Sequence, residues 1–460
     1  MRIKLALALW LLALSAAWWA TLPPDMALLP LIDAQGAASG LWRLREQAIV
    51  LSGLYSVGLM SLIMLLALRL PLIERPLGGM DQVYRLHKWA GIGAGLTAVL
   101  HWGLKEGGGL IKTLWGRAGK PPHEAVLPWL SDARGLAKDL GEWGFYLLLV
   151  LLAVTLIHRL LAYRPWRVSH RAMAVLYLVF VFHTLALLPL HFWAPPLGWL
   201  MGGLLALGSL AALASLVGVI GLRRRHAARI HSVQRLGADA DADAPLEVVC
   251  ALPPSWPGHR AGQFAFVRFE RAEGAHPFTI ASAPGALGCD ADDAPLLRLV
   301  IKPLGDYTQV LHQRLRAGQA LDIEGPYGHF DGQGQAQRQQ VWVAAGVGVT
   351  PFIALLEARQ PGAPAPIEPA QPVHMHYCTR NAARDPLLDR LRTLCAQAEP
   401  PVALTVHDDA QGQRLRPQDL EQQGQAIDLW FCGPQGLGDA LAAHTRRAPW
   451  RLHRELFAMR

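Results

Sequence analysis

The chain has 460 residues, enough for about three domains at roughly 150 residues each, and 52% of them are hydrophobic while only 17% are charged. This balance is too apolar for an ordinary soluble enzyme, and the low charge excludes a disordered chain. The 44 glycines and 33 prolines show no triplet period, which excludes a collagen-like fibre. Together these numbers favour a membrane protein with a soluble portion.

The charge is distributed unevenly along the chain. Residues 1–232 carry 22 Lys and Arg against 10 Asp and Glu, so the whole basic excess lies among apolar segments. This placement indicates membrane orientation, and we expect no nucleic-acid partner. The five cysteines all lie in the second half, at spacings that match no zinc or paired-thiol motif, which favours a reducing compartment.

Six apolar runs in the first half are long enough to cross a bilayer as helices. They span residues 3–20, 49–70, 86–104, 143–161, 172–190 and 197–222. The first run resembles a secretory signal, but Trp18 and Trp19 make a poor cleavage site, so we expect an uncleaved helix. Arginines without any acid in the loop between the fourth and fifth runs predict a multi-pass protein of the inner (plasma) membrane, with both termini and the soluble domains cytoplasmic.

Four histidines lie in or at the ends of the third and fifth runs: His87, His101, His170 and His183. Ionisable residues are costly in hydrocarbon and are functional candidates. Because the two helices run in the same direction, we expect His87 to pair with His170 and His101 with His183, the two pairs being about 20 Å apart. Paired imidazoles suit the axial ligation of haem iron with no open position, as in electron transfer.

This interpretation has one geometric difficulty and one alternative. Fourteen residues return His101 to within about 40° of the face of His87, but thirteen residues leave His183 about 140° from His170. The alternative is that the histidines are structural, each satisfied by a hydrogen bond.

The second half reads as a soluble module. Short alternating strands such as 262–269 and 297–302 predict a small antiparallel barrel. From about residue 340, apolar strands alternate with helical stretches, which is typical of a parallel sheet with flanking helices. The strand 341–345 is followed by Gly346-Val-Gly-Val-Thr-Pro351, where glycines let backbone N–H groups approach a diphosphate.

With its paired histidines and these motifs, the chain resembles the ferric reductase and NADPH oxidase superfamily. The resemblance implies a multi-domain membrane protein. Its parts would be a six-helix transmembrane bundle that binds two b-type haems over residues 1–222, an antiparallel β-barrel FAD domain over 223–330, and an α/β nucleotide-binding domain over 331–460.

The resemblance also implies roles for motifs of the second half. His276-Pro-Phe-Thr-Ile-Ala-Ser282 is similar to the flavin signature, in which Phe278 stacks on the isoalloxazine and Thr279 bonds its reactive edge. The implied flavin-binding residues are His276, Pro277, Phe278, Thr279, Ser282 and Lys302, and Lys302 stands where relatives commonly carry Arg. The implied nucleotide-binding residues are Gly346, Gly348, Thr350, Pro351, Arg380, Cys432, Gly433 and Pro434. Thr279, Cys432 and Phe457 would act along the hydride path.

Arg380 could pair with a 2′-phosphate, which favours NADPH over NADH. The implied function is transmembrane electron transfer from cytoplasmic NAD(P)H through FAD and two haems to an extracytoplasmic acceptor, either oxygen or a ferric chelate. One alternative is a haem-free, membrane-anchored flavin reductase that acts on cytoplasmic acceptors. Another is a channel or transporter regulated by a nucleotide-binding domain, against which the intact flavin and nucleotide motifs count.

Overall fold

The computed structural model describes residues 2–22, 31–32, 38–122, 124–157, 163–237, 243–270, 273–335, 337–367, 371–420, 426–446 and 448–454. These residues form two compact units that divide between residues 220 and 221. The first unit is helical, and the second contains the described strands. The predicted three-domain division, at residues 222 and 330, stays a prediction.

Each of the six apolar runs overlaps a described helix of the first unit. The described helices there are α1 (Arg2–Thr21), α2 (Ser39–Ala67), α3 (Pro71–Leu77), α4 (Met80–Trp115), α5 (Arg134–Leu156), α6 (Tyr163–Leu187) and α7 (Leu197–Val217). Helices form because hydrocarbon offers no hydrogen bonds, so the backbone must satisfy its own polar groups.

Five of the described helices are long and apolar enough to cross a membrane: α1, α2, α5 with the turn before it, α6 and α7. The helix α4, which contains the predicted run 86–104, is not among the five. It has 36 residues, roughly 54 Å of helix, so its length suffices. Its apolar sequence is interrupted by histidines, glycines and Lys88, which makes it less apolar than its neighbours.

The helical unit places apolar side chains on its outside. On α1, Leu9 and Leu12 are 56% and 62% exposed, and on α7 Leu210 is 64% exposed. The helix α2 is the most enclosed of the five apolar spans. An apolar outer face is what a lipid environment stabilises, so burial and exposure agree with a membrane component.

The first sheet of the second unit is antiparallel. Its strands are β1 (Arg225–Arg235), β2 (Leu246–Ala251), β3 (Phe264–Arg268), β4 (His276–Thr279), β5 (Leu296–Ile301) and β6 (Ala320–Tyr327), in the order β4-β3-β6-β1-β2-β5. An antiparallel bridge between Ile280 and Leu299 joins the two edges, so the sheet closes on itself. The barrel prediction is confirmed, and the helix α8 (Asp306–Arg314) follows β5.

The second sheet is parallel and has helices beside it. Its strands are β7 (Gln339–Ala345), β8 (Val373–Thr379), β9 (Ala403–Asp408), β10 (Ile427–Cys432) and β11 (Trp450–Arg454), in the order β11-β10-β7-β8-β9. The helices are α9 (Thr350–Glu357), α10 (Leu388–Gln397) and α11 (Gln435–His444). Because the chain moves outward in opposite directions from β7, the edge between β7 and β10 is the point where a doubly wound sheet binds its ligand.

The five cysteines are all free thiols. Burial raises the pKa of Cys250 and of Cys395 to about 12, so both stay protonated at neutral pH and act as small apolar side chains. Cys432 ends β10, at the edge between β7 and β10.

Candidate functional site

The inner histidine pair comes together as predicted. The ring centroids of His87 on α4 and His170 on α6 are 6.0 Å apart, with 52° between the ring planes. His87 hydrogen-bonds to the backbone of Ile63 on α2. Trp166 stacks on His170 with ring centroids 5.2 Å apart and planes within 7°, which fixes the orientation of that imidazole.

Both imidazoles of the outer pair are held by the same kind of contact, from Nδ1 to a helix carbonyl. The ring centroids of His101 on α4 and His183 on α6 are 6.3 Å apart. His101 Nδ1 lies 2.9 Å from the carbonyl oxygen of Ile49 on α2, and His183 Nδ1 lies 2.8 Å from that of Ala137 on α5. A carbonyl only accepts, so each Nδ1 donates and each Nε2 is left with its lone pair.

Two glycines make these contacts possible, and sequence reasoning did not identify them. Gly53 follows Ile49 by four residues on α2, and Gly141 follows Ala137 by four residues on α5. A Cβ on Gly53 would lie 3.1 Å from the His101 ring, and one on Gly141 would overlap the His183 ring. A side chain four residues after a helix carbonyl covers that carbonyl, so a glycine there opens it to an imidazole.

The spacing of both pairs fits two axial ligands of one iron. A metal–imidazole bond of roughly 2 Å and a nitrogen-to-centre distance of roughly 1.2 Å, counted twice, place two ring centroids about 6.4 Å apart. The observed distances are 6.0 and 6.3 Å. Within the described ranges there is no cluster of three or more His, Cys, Asp or Glu with metal-binding geometry. Two imidazoles are few ligands for a bare ion, and they suit a site whose remaining ligands would come from a macrocycle.

The predicted flavin signature forms the edge strand β4 and the turn after it. His276 stacks on Tyr307 with ring centroids 4.6 Å apart, and Phe278 lies 6.0 Å from the ring of Phe269. Pro277, Phe278 and Thr279 are half-buried. They are therefore partly open to a ligand, as a flat flavin ring requires.

Ser282 ends the signature in a different environment. It is fully buried, and its hydroxyl oxygen accepts a hydrogen bond of 3.1 Å from the backbone N–H of Arg298. Lys302, directly after β5, is half-buried.

A buried ion network behind the signature was also missed from the sequence. Arg298 Nη1 donates to Glu357 Oε1 at 2.6 Å and to the carbonyl of Ala281 at 3.2 Å. The other carboxylate oxygen of Glu357 accepts the backbone N–H of Ala283 at 3.0 Å. Arg298 thus connects the end of the flavin signature on the barrel to the end of α9 beside the parallel sheet.

Glu247 on β2 completes this network. Its carboxylate lies 3.4 Å from Arg298 Nε and accepts a bond of 2.6 Å from Arg390 on α10. Arg298 is only 5% exposed, so its charge is compensated by two carboxylates away from water.

The nucleotide motifs meet at the edge between β7 and β10. Gly346, Gly348, Thr350 and Pro351 follow β7, whereas Cys432 ends β10 and Gly433 and Pro434 follow it. A Cβ on Gly348 would overlap the carbonyl of Cys432, so the two loops approach backbone to backbone. The structure therefore brings together two motifs that lie more than 80 residues apart in the sequence.

Arg380 and Phe457 complete the predicted set. The Arg380 side chain is 83% exposed, and its guanidinium lies 3.8 Å from the carboxylate of Asp243. An exposed pair of this kind is weak, so Arg380 is free to reorient toward an anion. Phe457 lies outside the described residues.

Comparison with known families agrees with this geometry. A family model for a ferric reductase like transmembrane component matches residues 52–181, which include His87, His101 and His170. A second model, for an FAD-binding domain, matches residues 242–331, which include the flavin signature and Arg298. In both of these segments the chain is similar to the ferric reductase and NADPH oxidase superfamily.

Three proteins illustrate the similarity of this chain to known proteins. Heme-dependent oxidative N-demethylase beta subunit of Ectopseudomonas mendocina is 32% identical over 156 residues, 33% of this chain and 46% of that one. Ferric reduction oxidase 2 of Arabidopsis thaliana is 35% identical over 86 residues, 18% and 11% of the two chains. Respiratory burst oxidase homolog protein A of Solanum tuberosum is 26% identical over 223 residues, 43% and 21%. The chain spans less than half the length of these relatives.

The Arg298 network gives a stability prediction. Replacing Arg298 by Met leaves Glu247 and Glu357 buried without their shared cation, so the second unit should lose about 3–5 kcal/mol of unfolding free energy. The matched control is Arg314→Met, which removes an exposed pair with Glu270 at 3.4 Å and should cost less than about 1 kcal/mol. Denaturant unfolding of the full-length protein in detergent, followed by release of bound flavin, measures both. Equal and small losses would contradict the network's role.

Proposed function

We propose that this protein is an NAD(P)H-dependent flavohaem oxidoreductase that moves electrons across the membrane, from cytoplasmic nucleotide to an acceptor on the other side. The observation that carries the proposal is the pair of histidine sites on α4 and α6, at 6.0 and 6.3 Å between ring centroids. Two sites stacked along the same two helices provide a path through hydrocarbon. The acceptor is oxygen or a ferric chelate, and the compartment is the plasma membrane with both termini inside.

The proposed haem ligands are His87 and His170 for the inner site and His101 and His183 for the outer site. Bound flavin would supply the conversion of a hydride into single electrons, and bound haem would supply one-electron transfer. Two imidazoles would hold each haem, a ligand set that would favour electron transfer over the binding of a further ligand. The Nδ1 hydrogen bonds of His101 and His183 leave each Nε2 with its lone pair, which is the state that a metal ligand needs.

In the second unit, the half-buried edge of β4 is the proposed flavin surface, with Phe278 against the ring and Thr279 at its reactive edge. His276, Pro277, Ser282 and Lys302 complete the proposed flavin site. The proposed nucleotide site is the edge between β7 and β10, where Gly346, Gly348 and Thr350 supply backbone N–H groups at the start of α9. Pro351, which has no N–H to offer, belongs to the first turn of that helix and completes the proposed set. Cys432, Gly433 and Pro434 lie at the end of β10, across the same edge from the β7 loop. Cys432 and Phe457 are proposed for the hydride path.

Gly141 offers a test of the outer haem ligands that leaves every histidine in place. A Cβ in Gly141→Ala overlaps the His183 ring and disrupts its bond to Ala137, so haem content should fall by about one per chain. Gly135→Ala is the matched control, because a Cβ there meets nothing within 4 Å on the same helix. Haem is measured by pyridine haemochrome and flavin by fluorescence. Unchanged haem in Gly141→Ala would show that His183 is not a ligand.

Arg380 tests nucleotide preference. Its guanidinium would bind a 2′-phosphate that NADH lacks, so Arg380→Ala should lower kcat/KM for NADPH about tenfold to a hundredfold and leave NADH nearly unchanged. This range is roughly the 1.5–3 kcal/mol of a charged hydrogen bond. Arg392→Ala removes an exposed arginine that pairs with Asp389 and should change neither value. Equal losses with both nucleotides would exclude phosphate recognition by Arg380.

The direction of electron flow is tested in sealed vesicles that expose only the cytoplasmic face. Added NADPH should reduce an impermeant ferric chelate trapped in the lumen, and His183→Ala should stop that transfer while the inner haem stays reducible. The two histidine levels are about 20 Å apart by helix rise, too far for efficient transfer without the outer site. If the wild-type protein reduces an acceptor outside the vesicles, on the cytoplasmic face, at full rate and leaves the lumenal acceptor oxidised, the protein is an anchored flavin reductase.

A further inference from the structure

Arg359 is a buried cation near the starts of the parallel strands, whereas the proposed nucleotide site lies at their other ends. It lies two residues beyond the end of α9 and is only 5% exposed. Its Nη1 donates to the carbonyl of Gln371 at 2.9 Å, and its guanidinium carbon lies 4.9 Å from the centre of the Trp342 ring. The ring covers one face of the guanidinium and leaves donors along its edge.

No carboxylate compensates this charge within the described part of the chain. Burial lowers the pKa of Arg359 to about 10, and no acid among the described residues counteracts that effect. Among the described residues Nε of Arg359 is buried without a hydrogen-bond partner. Arg298, by contrast, is equally buried but has two carboxylates. A buried, uncompensated guanidinium is expensive, so an anion from outside the chain would lower its free energy.

A cavity of about 60 Å³ lies at this side chain, lined by Arg359, Gln371 and the segment Gly332, Gln333 and Gly334. A cavity needs roughly 10–15 Å³ of such space to hold one water, so this cavity has room for a small polyatomic group. The segment precedes β7 and Gln371 precedes β8, whereas the nucleotide motifs follow the opposite ends of the parallel strands. The cavity is therefore separate from the nucleotide site.

We propose that this cavity binds a small oxyanion of the phosphate or sulfate type. The planar fork of a guanidinium matches two oxygens of such an ion, and Gln333 and the amide groups around it supply further polar atoms. The carboxylate of Asp331 accepts the backbone N–H of Gln333 at 3.1 Å and is thereby engaged within its own loop. The bound anion would join the segment before β7 to the end of α9.

The test uses inorganic phosphate and the full-length protein in nanodiscs, in chloride buffer at constant ionic strength. Isothermal titration calorimetry should show saturable phosphate binding, and the thermal unfolding midpoint should rise with phosphate in the same concentration range. Sulfate should compete. Arg359→Gln should weaken phosphate binding at least tenfold, because it removes the charge and the fork.

A second variant keeps the test decisive if Arg359→Gln does not fold. Gln333→Glu places a negative charge at the cavity on an exposed loop residue and should also weaken phosphate binding at least tenfold. Gln337→Glu makes the same change on the same loop, at an exposed residue that does not line the cavity, and should leave binding unchanged. Absence of saturable binding to the wild type overturns the proposal, as do equal affinities for the Gln333→Glu and Gln337→Glu variants.

Discussion

A hydrogen bond from imidazole Nδ1 to a helix carbonyl is the interaction on which the outer histidine pair depends. In hydrocarbon no water can satisfy a ring N–H, so a buried histidine must find a protein acceptor. Ile49 and Ala137 provide backbone carbonyls that lie within helices. Gly53 and Gly141 have no side chain to cover these carbonyls, so an imidazole can reach them. The contact fixes the tautomer, and with it the direction in which the other nitrogen points.

The inner pair obeys the same constraint by different means. His87 bonds the backbone of Ile63, whereas His170 is oriented by stacking on Trp166. In the part of the chain that the structure describes, Nδ1 of His170 has no hydrogen-bond partner. The two sites therefore differ in how firmly their imidazoles are held. Hydrogen bonding to Nδ1 raises ligand basicity, so unequal anchoring is a physical basis for two proposed haems of different potential.

The sequence was informative where residue type and spacing carry the chemistry. The four histidines pair as predicted, and the loops after β7 and β10 meet at the edge that a parallel sheet dictates. The 140° angle between His170 and His183 on α6 did not prevent pairing. An angle counted along a helix describes the directions of the Cβ atoms, and an imidazole ring reaches well beyond its Cβ. Gly141, Arg298 and Arg359 could not be predicted, since their roles arise from residues distant in sequence that no periodicity connects.

The helices that carry the proposed haem ligands differ from the helices that support those histidines. The histidines come from α4 and α6, and the carbonyls that anchor them come from α2 and α5. The matched transmembrane family range, residues 52–181, lies within this set of four helices and the segments between them. The outer helices contribute packing instead: Leu14 of α1 contacts α2 at Gly58, and α7 presents Gly208 to Tyr177 and Ser61. A frame of four helices keeps both proposed haem sites on one pair of helices, so changes in α7 reach them through α2 and α6, and changes in α1 reach them through α2 and through its contacts with α4.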